Sequence, residues 1–211
     1  GLDNGDGGGT AQNGILEAGE VDYTTTYCSN YHLGMVKDIN SVSSSPSSYP
    51  DQLTAVGNTL YFYATDGTNG YELWKSDGTS SGTVMVKDIR SGSTGSSADD
   101  LTAVGSTLFF EASEGTNGYE LWKSDGTSAG TVMVKDIYSG SGSSGVAYPT
   151  VIGSTLYFRA TDGTNGGELW KSDGTSTGTV MVKDIRSGSS SSNPTYLTVI
   201  GNTLYFRASD G

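Results

Sequence analysis

Apolar and β-branched residues in this chain fall into runs of four to eight, each bounded by Gly, Asn, Asp or Ser, and none keeps a helical period. The best-defined stretch predicts four strands, lettered a to d. Strand a is LTAVG, or PTVIG in a later copy; b runs from Thr59 to Thr65, c from Tyr71 to Ser76 and d from Thr83 to Ile89. The b to c connection is DGTNG and the c to d connection is DGTSSGT, so both put Asp-Gly where a tight hairpin needs positive φ. No helix is predicted. Strand b alternates Leu60, Phe62 and Ala64 with Tyr61 and Tyr63, leaving both faces largely apolar. Strand d sets Val84 and Val86 against Met85 and Ile89 in the same way. Small sheets with two apolar faces are expected to stack between neighbours, not to form a sandwich with one wet face.

The pattern recurs. ELWKSDGT starts at Glu72, Glu120 and Glu168, and the strand b segment starts at Gly57, Gly105, Gly153 and Gly201, each 48 residues apart. VKDI starts at Val36, Val86, Val134 and Val182, the first interval being 50 because SVSSSPSSYPDQ carries two extra residues. The predicted fold class is all-β: a β-propeller-like array of about four four-stranded antiparallel blades with a 48-residue period. An open repeat superhelix is the alternative, and a β-solenoid fits less well because its coils are shorter and lack paired hairpin turns. Residues 1–32 are read as a Gly/Asp-rich N-terminal segment and 33–211 as the repeat domain.

The ends do not coincide with repeat boundaries. A d-like strand is predicted at Leu33 to Ile39, and the chain closes on strands a and b, Tyr196 to Ser209. Joined to an N-terminal pair, Val21 to Cys28 and Leu33 to Ile39, they would complete a mixed fourth blade and close a ring. Alternatively, the open edge of one molecule takes the N-terminal strands of the next, giving a head-to-tail filament. A third reading is a piece of a longer array, because Asp210 and Gly211 stop where DGTNG should begin.

ELWKSDGT followed by GTVMVKDI resembles the bacterial repeat proteins named for their ELWxxDGT signature, over residues 34–211. The resemblance implies a propeller-like, exported, non-enzymatic repeat domain of large secreted or surface proteins, and implies no shared ligand or reaction.

Composition narrows the setting. With 32 Gly, 31 Ser and 4 Pro, the chain would read as disordered were it not for the strict repeat. A formal charge of −12 would repel a phosphate backbone, so nucleic acid is not an expected partner. No apolar run approaches the roughly 18 residues of a membrane span, and there is no Met-initiated basic leader, as expected of a soluble, mature or truncated chain.

In the N-terminal segment, NGILEAGEV follows the second half of a calcium loop: Asn13 as oxygen ligand, Gly14 at the turn, Leu16, then Glu20 six residues after the glycine. The first half is expanded into DNGDGGGTAQNG, from which Asp3 and Asp6 would approach a bound Ca²⁺. The bland alternative is a surface turn. The segment also resembles a small acidic, Cys-containing module of bacterial surface proteins, through GLD, NGxL, GEV and YC. That module has a second Cys further upstream, which implies a lost partner for Cys28. As the chain's one cysteine, Cys28 cannot form an intrachain disulfide; it has lost a partner upstream, pairs with another molecule or is a buried thiol.

Catalysis needs unlike residues converging, and the chain has one histidine, His32, and no GxSxG, HExxH, CxxC or P-loop string. Carboxylates such as Asp66, Glu72 and Asp77 recur identically in every repeat, which argues for structure; Asp66 and Asp77 are read as turn formers bonding the backbone two residues on. Asp88 is expected to cap strand d or pair with a lysine. Trp74, Trp122 and Trp170 occupy one position per repeat, either as packing or, with Tyr71 and Tyr119, as a multivalent lectin-like glycan site. The linkers RSGSTGSSADD, YSGSGSSGVAY and RSGSSSSNPTY vary and are read as solvated loops with possible O-glycan acceptors. The expected function is that of an extracellular or cell-surface structural and adhesive protein that associates with itself, with glycan binding as the alternative.

Overall fold

The computed structural model describes residues 26–28, 31–42 and 47–211. The chain divides into two compact segments, Gly1–Asp38 and Ile39–Gly211. In the first, β1 (Thr26–Cys28) and β2 (Tyr31–Leu33) form an antiparallel pair with Thr26 opposite Leu33 and Cys28 opposite Tyr31. The d-like strand expected through Ile39 is absent: residues 34–42 are irregular. The physical reason is a missing partner. In the later repeats VMVK lies against ELWK of the same repeat, and no copy of ELWK precedes Val36.

The second segment is built of antiparallel sheets taken in chain order. The first repeat supplies β3 (Asp51–Val56), β4 (Thr59–Thr65), β5 (Tyr71–Ser76) and β6 (Val84–Lys87). The second supplies β7 (Asp99–Val104), β8 (Thr107–Ala112), β9 (Glu120–Ser124) and β10 (Val132–Lys135). The third supplies β11 (Ala147–Ile152), β12 (Thr155–Thr161), β13 (Gly167–Ser172) and β14 (Val180–Lys183). Strands β15 (Thr195–Ile200) and β16 (Thr203–Arg207) form a two-stranded sheet, and the N-terminal pair expected to complete a mixed fourth blade lies partly outside the described residues. The described residues contain no helix, hence none long and apolar enough to cross a membrane.

Strands b and c occupy the predicted residues because their turns are encoded locally: Gly67 and Gly78 sit at φ of 82° and 88° after Asp66 and Asp77. Strand d is shorter than predicted and ends at Lys87. Beyond it the chain turns, and Ile89 joins Val86 on the same packed face instead of opposing it. The first strand of every repeat carries a bulge, between Asp51 and Thr54 in the first and between Thr195 and Thr198 in the last.

Packing follows the two-faced pattern. Tyr61, Leu73, Val86 and Ile89 of the first repeat meet Leu108, Phe110, Ala112 and Trp122 of the second. The motif repeats one step on, where Phe109, Leu121, Val134 and Ile137 meet Leu156, Phe158, Ala160 and Trp170. The leading strands adjoin in sequence, β3 beside β7, β7 beside β11 and β11 beside β15.

Candidate functional site

The chemistry-bearing side chains of the repeats gather at the junctions between sheets. Glu72, Glu120 and Glu168 are fully buried at the start of the third strand of each repeat. Glu72 accepts from the amides of Ile89 and Arg90 at 3.1 Å each and from the Ser96 hydroxyl at 2.6 Å. Glu120 accepts from the amides of Ile137, Tyr138 and Ser144, and Glu168 from Ile185 and Ser192. These carboxylates draw the chain out of the last strand and anchor the linker to the next sheet. Ser96 is the far end of that anchor: its amide donates to Tyr71 and its carbonyl accepts from Ser113 in the following repeat. The linkers are therefore not wholly solvated loops, since Ser96, Ser144 and Ser192 are at most 1 % exposed. A hydroxyl so enclosed and bonded is no glycan acceptor.

Lysines tie the same junctions from the other side. Lys75 and Lys123 each donate at 2.8 Å to the carbonyl of the turn glycine in the next repeat, Gly126 and Gly174. Lys87 and Lys135 do the same to Thr131 and Thr179, also at 2.8 Å. These are charge-assisted bonds, worth about 1.5–3 kcal/mol each where partly shielded. The corresponding Lys171 and Lys183 are exposed and make no such bond among the described residues.

Trp74, Trp122 and Trp170 are 5–6 % exposed and lie inside the packed clusters. Their indole N–H groups have no hydrogen-bond partner among the described residues. A saccharide would have to open a packed cluster to reach these rings, so the indoles offer no stacking face at the surface. Tyr71 and Tyr119 are half-buried, and Tyr71 stacks on Tyr63 with ring centroids 4.9 Å apart. The turn carboxylates have local roles: Asp66 accepts from the Thr68 and Asn69 amides, Asp77 from the Thr79 amide and hydroxyl. The hydroxyl and amide of Thr79 hold the Asp77 carboxyl below the usual carboxylate range. The counterparts of Asp88 serve the following loop, where Asp136 accepts from Gly140 and Asp184 from Gly188. The calcium-loop residues Asp3, Asp6, Asn13 and Glu20 lie outside the described residues, and no group of three or more His, Cys, Asp or Glu able to hold a metal occurs among those described.

Among the positions that break the repeat, one carries a buried carboxyl. Glu111 stands where the other copies have Tyr63, Arg159 and Arg207, and it faces Asp99 across the strands. Its carboxylate accepts from the Val146 amide at 2.8 Å. Burial, with Asp100, Asp99 and Glu120 nearby, pushes Glu111 up to about 7; burial does the same to Glu120, also to about 7. A carboxyl whose folded pKa is raised contributes stability that is complete below its unfolded value and is lost as pH rises through the folded one. The thermal midpoint is therefore expected to fall between pH 4.5 and pH 8, with Glu111→Gln flattening that slope and raising the midpoint at pH 8. Calorimetry across this range checks it; parallel profiles for the two proteins would contradict it.

No family model and no curated protein matches the sequence. Among solved structures, the computationally designed Ika8 protein is 16 % identical, with a TM-score of 0.45 over 88 % of this chain and 49 % of that one. The chain thus spans about half the length of the designed protein.

The lysine bonds and the buried glutamates are the site features that the sequence analysis did not assign. Their signal was present, because ELWK and VK keep a charged residue next to apolar ones in every copy, but the carbonyl each lysine reaches lies 44 or 51 residues away.

Proposed function

We propose that this chain is a non-catalytic, extracellular structural or adhesive scaffold whose repeats act as propeller-like blades and which joins head to tail with further copies. It would be a protein of the kind its ELWKSDGT repeats resemble. The observation that carries the reading is the junction itself. Two successive junctions use the same apolar residues apart from Tyr61 in one and Phe109 in the other, the same buried glutamate and the same pair of lysines, and the recurrent carboxylates are engaged in holding backbone. A surface with these ingredients is exposed again after the third repeat, where Lys171, Lys183 and Val182 face solvent beside the two-stranded β15–β16 sheet. An unpaired strand edge with matching donors is a template for the same junction made between molecules.

Sedimentation velocity on the 211-residue chain, with negative-stain microscopy at the highest concentration, is the test. Mass is expected to grow with concentration into linear particles. Removal of residues 1–39 should abolish them, and Lys171→Ala with Lys183→Ala should weaken association by about tenfold or more, the equivalent of one charge-assisted bond or better. A monomer at every concentration would overturn the self-association.

A further inference from the structure

The linkers between sheets end in different ways. Ala98, Val146 and Pro194 hold the same place in successive repeats, just ahead of the next leading strand, and all are buried. Each belongs with a second-strand residue of the preceding repeat: Tyr63, Glu111 and Arg159. In the first pair, Tyr63 stacks on Tyr71 and its hydroxyl interacts with Ser97. In the third, Pro194 has no N–H to offer and Arg159 is no acceptor. A backbone donor meets a carboxyl in the second pair alone, where the Val146 amide donates to Glu111 at 2.8 Å.

That carboxyl is crowded by its own sign of charge. Across the β7–β8 ladder Glu111 stands opposite Asp99, with Asp100 next along, whereas the first repeat sets Tyr63 opposite Asp51 and the third sets Arg159 opposite Ala147. From the other flank comes Glu120 of β9, whose ladder partner is Ala112, beside Glu111 in sequence. Glu120 holds the near end of the same linker through the Ile137 and Tyr138 amides, and Asp136 bears on it. Like charges directly opposite on a ladder repel, and burial strengthens the repulsion.

We propose that Glu111 is a pH-sensitive latch on the linker between the second and third repeats, closed over Val146 while Glu111 carries its proton and released locally when Glu111 ionises. A closed latch holds its proton more tightly than an open, hydrated one, so closure is complete below the usual carboxylate range and is lost as pH rises. Burial, with Asp100, Asp99 and Glu120, puts that loss at about 7. Release lifts Val146 from Ile137, Leu156, Phe158 and Trp170 and loosens one junction of the array. The latch is internal to the chain and operates whether or not the chain self-associates. Glu72 and Glu120 anchor the near ends of the first and second linkers alike, so a difference between those linkers reports Glu111.

Hydrogen–deuterium exchange of the 211-residue chain at pH 6 and pH 8, read by mass spectrometry on each linker, tests it. Beyond the base-catalysed rise common to all amides, residues 140–148 are expected to lose about tenfold or more of their protection at pH 8, and residues 92–100 clearly less. Glu111→Gln keeps an acceptor for Val146 without the charge and should remove the excess. Asp99→Asn takes away the facing charge and should reduce it. A second linker equally protected at both pH values, an equal loss in both linkers, or an excess undiminished in either variant would overturn the proposal.

Discussion

Glu120→Ala is expected to destabilise the chain by about 2–5 kcal/mol, because it takes the carboxyl acceptor away from buried backbone amides. The side chain is fully buried and serves three amides, those of Ile137, Tyr138 and Ser144, at 2.9, 3.3 and 3.2 Å. The Ile137 and Tyr138 amides, left without an acceptor, cost about 1–3 kcal/mol each, partly offset where water enters the vacated volume, while the Ser144 amide keeps the Tyr119 carbonyl at 2.9 Å. Protonation does not remove the acceptors, since a neutral carboxyl still offers oxygen lone pairs; the network therefore survives the raised pKa of this group. Glu120→Gln keeps one acceptor oxygen and should fall between the parent and Ala. Urea unfolding measures both, and a loss below about 1 kcal/mol for Ala would show that the linker is held by something else.

Trp122→Ala is expected to cost a similar amount, about 3–5 kcal/mol, through the lost transfer energy and the cavity left behind. Trp122 packs with Leu73, Val86 and Ile89 of the preceding repeat as well as with Phe110 of its own sheet. Truncation thus empties a junction and not merely one sheet. Trp122→Phe should cost under about 1.5 kcal/mol, because most of the apolar volume remains and the indole N–H has no partner among the described residues to lose. A large penalty for Phe would mean that the N–H is bonded in solution, while a small penalty for Ala would place the ring outside the junction.

What was legible in the sequence was whatever short-range chemistry encodes. Alternation along Thr59–Thr65 and Tyr71–Ser76, with Asp-Gly between and after them, fixed two strands to the residue and assigned Asp66 and Asp77 to their turns. Three features were not legible, each because its cause lies far along the chain. The last strand stops at Lys87 because the Glu72 carboxylate, 17 residues earlier, captures the Ile89 amide. VKDI from Val36 makes no strand because a strand needs a neighbour, and pattern alone does not reveal the missing ELWK. The lysines carry no local signal of a role, yet four of them donate to carbonyls in the next repeat.

Tryptophan emission followed through a urea titration of the unmodified chain tests the stacked-sheet account most directly, because all three indoles report from its packed faces. The account predicts blue-shifted native emission that shifts to the red in a single cooperative transition, the junctions coupling neighbouring repeats. Solvent-like emission before any urea is added, or separate transitions from repeats that melt independently, would contradict it.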